Sequence, residues 1–131
     1  MIGLDTNVLV RYIMQDDAKQ AALATRLIEK LSEDAPGFIT LVSVIELTWV
    51  LESAFELNRS QIVEVFQRIR SVDVFKLDRA GVVQSALRTY RNGKADFADC
   101  LIERLSAQAG CERTMTFDRA AAKSGGMVLI A

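Results

Sequence analysis

Ile2-Gly3-Leu4-Asp5-Thr6-Asn7-Val8-Leu9 opens the chain with a short apolar run that stops at three polar residues and then resumes. The break predicts a buried strand over Ile2–Leu4 feeding a helix from about Val8 to Met14, with Asp5 at the strand's carboxyl end. The same alternation continues downstream. Asp16 or Asp17 can cap a helix reaching about Ser32, with Ala21, Leu23, Ala24, Leu27, Ile28 and Leu31 on its apolar face. Phe38 to Val42 reads as a second strand, and Ser43-Val44-Ile45-Glu46 opens a helix carrying Leu47, Val50, Leu51, Ala54 and Phe55. Ser60 can cap a helix to about Arg70, ahead of a third strand over Val72–Leu77. Helices over Asp78–Asn92 and Asp96–Ala109 follow, closed by Gly93 and Gly110. A fourth strand over Arg113–Phe117, a short helix, a Gly125-Gly126 turn and a last strand through Ile130 complete the chain. Strands alternating with helices imply an α/β fold, three layers deep, around a central, mostly parallel sheet of four to five strands.

The 131 residues, half of them hydrophobic, fit a single domain spanning 1–131. No apolar run reaches bilayer length and the N-terminus has no secretory pattern, so a cytoplasmic protein without a membrane partner is expected. Cys100 and Cys111 lie in apolar segments without paired spacing and read as buried free thiols. The chain has no histidine. That removes the commonest general base and zinc ligand, leaving carboxylates, hydroxyls, Lys and Arg to carry any chemistry. A net charge of −1 supplies no global attraction for nucleic acid, so RNA contacts must rest on local basic groups such as Arg88, Arg91 and Lys94.

Four acids, Asp5, Glu46, Asp99 and Asp118, each fall at a strand end or in the first turn of the helix beyond one. In parallel sheets ligands bind outside the carboxyl ends of the strands, so this topology can gather the four, with Asp96 beside them. Carboxylates sharing a crevice repel, and a divalent cation removes that penalty. All-oxygen ligation suits Mg²⁺ or Mn²⁺, which bridge protein carboxylates to phosphate oxygens, and phosphodiester hydrolysis by a metal-activated water follows. Thr6, Asn7, Thr114 and Thr116 flank the acids and can hydrogen-bond a ligating carboxylate or the phosphate.

Each acid alone also has a purely structural explanation. Asp5 fits a turn or cap, Ser43-x-x-Glu46 a capping box, Asp96 and Asp99 a cap with a first-turn acid, and Asp118 a cap of the short helix. Asp16 and Asp78 read as ordinary caps. Capping predicts acids at helix starts anywhere; it does not predict four at one sheet edge.

Leu4-Asp5-Thr6-Asn7-Val8-Leu9, Ser43-Val44-Ile45-Glu46-Leu47, Ala95-Asp96-Phe97-Ala98-Asp99-Cys100-Leu101-Ile102 and Thr116-Phe117-Asp118 together resemble the PIN-domain ribonucleases, especially the VapC-like toxins of type II toxin–antitoxin systems. The resemblance covers nearly the whole chain. It implies an α/β/α fold, Mg²⁺- or Mn²⁺-dependent endoribonuclease activity, a homodimer, and inhibition by a VapB-like antitoxin. By position, Asp5, Glu46, Asp99 and Asp118 match the family's acidic site, with Asp5 and Asp99 foremost as metal ligands and Asp96 matching an extra acid. Cys100 departs from the small residue common at its position, and is itself small enough to fit.

Two other functions compete. A Mg²⁺-dependent phosphatase of the haloacid-dehalogenase type also begins with a strand ending in Asp, but Asn7 replaces the second acid of its Asp-x-Asp pattern. A non-catalytic PIN-like binding module would not need the full acid set. Large apolar residues in Val44–Phe55 and Ile62–Ile69 can form a groove for an amphipathic antitoxin peptide, and exposure of Trp49 or Phe55 would mark it.

Overall fold

The computed structural model describes residues 1–131, which form two compact units, Met1–Asp78 and Arg79–Ala131. The first unit alternates strands with helix pairs: β1 (Ile2–Gly3), α1 (Thr6–Met14), α2 (Ala18–Glu29), β2 (Gly37–Ile39), α3 (Leu41–Ser53), α4 (Arg59–Ser71) and β3 (Phe75–Leu77). Its strands form a parallel sheet in the order β1-β2-β3, pairing Ile2 with Gly37 and Gly37 with Phe75. The three carboxyl ends therefore share one edge.

The helix starts depart from the sequence reading, and the capping chemistry explains each shift. Asp5 caps α1, which begins at Thr6 rather than Val8. Asp17 caps α2 by accepting from the Gln20 N–H at 2.9 Å, while Asp16 pairs with Arg11 at 2.9 Å. Thr40 ends β2 and caps α3, accepting from the Ser43 N–H at 3.1 Å, so the helix opens two residues before Ser43. Asn58, not Ser60, caps α4, in a reciprocal box with Gln61 that satisfies two backbone donors. Leu9, Ile39, Val44, Leu47, Leu51, Ile62 and Phe66 are fully buried and form this unit's core. On α2 only Ala21, Ala24 and Ile28 face inward; Leu23 and Leu27 are exposed, so the apolar stripe is narrower than expected.

The second unit runs α5 (Ala80–Asn92), α6 (Phe97–Gln108), β4 (Met115–Thr116), α7 (Arg119–Ser124) and β5 (Val128–Leu129). Arg79, at φ 49°, precedes α5 without a side-chain cap, so Asp78 does not cap it. Val83, Ala86 and Tyr90 of α5 are buried, as are Phe97, Cys100 and Leu101 of α6. The Tyr90 and Phe97 rings meet edge to face, with centroids 5.9 Å apart. β4 and β5 pair in parallel across α7, Met115 beside Val128. All strand pairs are parallel and strands alternate with helices, the expected α/β class. The five strands hydrogen-bond as three and two. Cys100 is buried as expected, whereas Cys111, beyond the end of α6, is exposed.

Candidate active site

In the first unit the site is built from the β1–α1 junction and the second turn of α3. Leu4 is buried and its N–H donates to the Phe38 carbonyl at 3.0 Å, which carries the β1–β2 ladder one residue past the strand. Asp5 then turns the chain into α1, its Oδ1 accepting from the Thr6 N–H at 2.7 Å. Thr6 is buried, and its Oγ1 donates to Glu46 Oε1 at 2.7 Å. A hydroxyl bonded to an ionised carboxylate at that length is a strong, charge-assisted contact. It fixes Glu46 against the first turn of α1. The capping box suggested by Ser43-x-x-Glu46 does not form, because Ser43 is already the partner of Thr40 and Glu46 lies a turn deeper in α3.

Asp5, Thr6 and Glu46 line an open cavity of about 420 Å³ together with Asn7, Arg11 and Trp49. Arg11 and Trp49, with the apolar Val10 and Val50, are lining residues that the sequence did not assign to the site. The first two follow helical spacing: Arg11 stands four residues after Asn7 on α1, and Trp49 three after Glu46 on α3. The Arg11 guanidinium is anchored by Asp16 and by Gln20, whose Oε1 accepts from Nε at 2.6 Å. Trp49 is 67% exposed, while Phe55 is half-buried.

In the second unit, Asp96 caps α6 by accepting from the Asp99 N–H at 2.8 Å. Asp99 sits in the helix's first turn, where the aligned peptide dipoles favour negative charge. Its carboxyl is nevertheless held above the ordinary range. Burial is the leading cause, followed by the charges of Asp96 and Asp118 and a side-chain hydrogen bond with Asp96. Asp118 caps α7, its Oδ1 accepting from the Ala121 N–H at 2.8 Å, and its own N–H donates to Thr116 Oγ1 at 2.9 Å. Ser124 ties this turn to the start of α6: its Oγ accepts from the Lys94 and Ala95 N–H groups at 2.9 and 3.2 Å. Gly93 leaves room for that contact, since a Cβ there would lie 2.6 Å from the Ser124 Cβ. Asp96 and Asp118 thus both act on the charge of Asp99, and both are caps as well.

Arg88 and Arg91 are exposed on α5, and Lys94 is exposed just beyond it. Thr114 is half-buried, with its carbonyl accepting from the Val128 N–H at 2.8 Å. The donor set is entirely oxygen, and the mutual repulsion at Asp99 is of the kind a hard divalent cation relieves. No group of three or more acidic or thiol side chains converges as a ready-made cation cage. Mg²⁺ does not require one, because it keeps several waters and is commonly held by one or two carboxylates with substrate phosphate.

The chain is 26% identical over 123 residues, 93% of its own length and 90% of the relative's, to a VapC ribonuclease of Aquifex aeolicus (strain VF5). Residues 2–126 match the model of the PIN domain, a span that takes in Asp5, Glu46, Asp96, Asp99 and Asp118 alike. The chain belongs to the PIN domain family.

Proposed function

We propose that this protein is a Mg²⁺- or Mn²⁺-dependent endoribonuclease, the toxin of a toxin–antitoxin pair, with Asp5, Glu46, Asp99 and Asp118 as its acidic site. The observation that carries the reading is the similarity to a VapC ribonuclease over nearly the whole of both chains. In the reaction a water adds to phosphorus and one ester oxygen leaves with a proton. Asp5 and Asp99, with Glu46 and Asp118, would hold the cation. When bound, the metal supplies a water of lowered pKa and offsets the phosphate charge.

The chain's own residues do the positioning. Thr6 holds the Glu46 carboxylate in one orientation by its 2.7 Å hydrogen bond. Asp96 orients Asp99 through the backbone cap, Thr116 holds the turn that carries Asp118, and Asn7 borders the same cavity as Asp5. Arg11, Arg88, Arg91 and Lys94 are the cations offered to the RNA backbone. No helix is long and apolar enough to cross a membrane. Action in the cytoplasm, a homodimer and a VapB-like antitoxin partner belong to the same proposal.

The test is cleavage of RNA by purified protein with Mg²⁺ or Mn²⁺, set against Asp5→Asn and Asp99→Asn. Loss of one carboxylate from a metal-assisted site is expected to reduce the rate by about 10²-fold or more while the fold is retained. Equal cleavage by Asp5→Asn rejects the site. Faster hydrolysis of a chromogenic phosphate ester than of any RNA favours a phosphatase, and RNA binding without cleavage favours a binding module.

A further inference from the structure

The chain has one Trp, two Tyr and six Phe, and the fold leaves only Trp49 and Phe117 exposed, at 67% and 79%. Exposure of Trp49 also fits the antitoxin groove expected from the sequence, and scattered surface hydrophobics are ordinary, so exposure alone decides nothing. Position does. Trp49 lines the cavity that holds Asp5 and Glu46, and Phe117 immediately precedes Asp118. Trp49 thus borders two proposed site acids of the first unit, and Phe117 is the chain neighbour of one in the second. Each stands on a framed element: Trp49 on α3, whose Val44, Leu47 and Leu51 are buried, and Phe117 between the β4 pairing and the Asp118 cap.

Resting on the ribonuclease reading, we infer that Trp49 and Phe117 are base-stacking residues that position unpaired RNA for cleavage. An exposed ring on a rigid element offers a flat face on which a splayed-out base stacks, whatever its identity. Such a mode suits this protein. With a net charge of −1, backbone attraction alone gives weak hold on RNA, and stacking supplies affinity that does not depend on net charge. Arg11, in the same cavity as Trp49, adds a local cation for the phosphate next to the stacked base. A base-paired segment cannot present its faces this way, so the preferred substrate is a single-stranded stretch or loop.

Trp49 is the chain's only tryptophan and therefore reports on itself. In the cleavage-deficient Asp99→Asn protein, single-stranded oligouridylate should quench its fluorescence, and inorganic polyphosphate should not. With the active enzyme, Trp49→Ala and Phe117→Ala should each raise KM about ten-fold, the size expected for one lost base stack, while kcat changes little. Trp49→Phe and Phe117→Trp should restore most of the loss. Unchanged fluorescence at saturating oligouridylate, equal quenching by polyphosphate, or unaltered KM in both alanine variants overturns the inference. So does a KM rise that accompanies loss of a dimer in sedimentation, since the rings would then be protein contacts. Absence of RNA cleavage by the wild-type protein is a different failure, that of the ribonuclease reading itself, and the quenching measurement still reports on stacking.

Discussion

At the scale of single residues, the acids of this chain do two things at once. Asp5, Asp96 and Asp118 each close a helix start, as their capping patterns suggested, while the Asp99 carboxyl is raised first by burial and then by the charges of Asp96 and Asp118. The sequence announced the acids and not their partners, because Thr6 and Glu46 are forty positions apart and meet only through folding. Thr6→Val should therefore weaken the fold by about 1.5 kcal/mol in urea unfolding, the lower end for a hydrogen bond to a charged group, since the acceptor keeps access to water. It should also slow RNA cleavage, and Thr6→Ser should recover both; a Val variant with wild-type rates would leave Thr6 a purely structural residue. Asp99 makes a pH prediction. Its folded carboxyl titrates above the ordinary value of 3.8, so its contribution to stability is complete below 3.8 and is lost as pH rises through the folded value. In metal-free protein, Asp99→Asn should melt higher than wild type at neutral pH, and the difference should vanish in acid. A lower neutral-pH melting point for Asn would show that Asp99 is stabilised where it stands.

Among the elements, every helix including the short α7 was legible in the sequence, while starts shifted by up to two residues, in several cases because a nearer capping side chain won. Thr40 displaced Ser43, and Asn58 displaced Ser60. Competition of this kind is local but not periodic, so spacing alone does not resolve it. The strands were legible as places rather than lengths: Val72–Leu77 shrinks to Phe75–Leu77 because pairing with Gly37–Ile39 covers only those residues. What fixes the second group of acids is a turn-to-helix contact that no short motif advertises, Ser124 against the backbone before α6. Gly93 has φ −134°, which any residue adopts, so its requirement is space rather than conformation. Gly93→Ala places a methyl 2.6 and 2.7 Å from the Ser124 Cβ and Oγ. A cost of about 1–3 kcal/mol is expected from overpacking, read as a lower melting temperature, together with slower cleavage as Asp96 and Asp99 shift. Ser124→Gly in the same protein should return part of the stability, and no recovery would place the strain elsewhere.

For the whole molecule, the missing histidines leave carboxylates to carry the proposed chemistry, and Asp99, raised by burial and by the charges of Asp96 and Asp118, bears a cost where it stands. A cation that binds the folded chain and not the unfolded one relieves that cost and must stabilise the fold by mass action. At a Mg²⁺ concentration about ten times its dissociation constant, the gain is about 1.4 kcal/mol, or roughly 4 °C in melting temperature for a chain of this size. Screening by salt also relaxes carboxylate repulsion, so the comparison is with NaCl at equal ionic strength, which should give a smaller shift. Asp99→Asn should abolish most of the magnesium-specific part, because it removes both a proposed ligand and the repulsion that the ion relieves. If NaCl matches Mg²⁺ degree for degree in the wild type, the acids are a screened surface cluster and the folded chain holds no cation of its own.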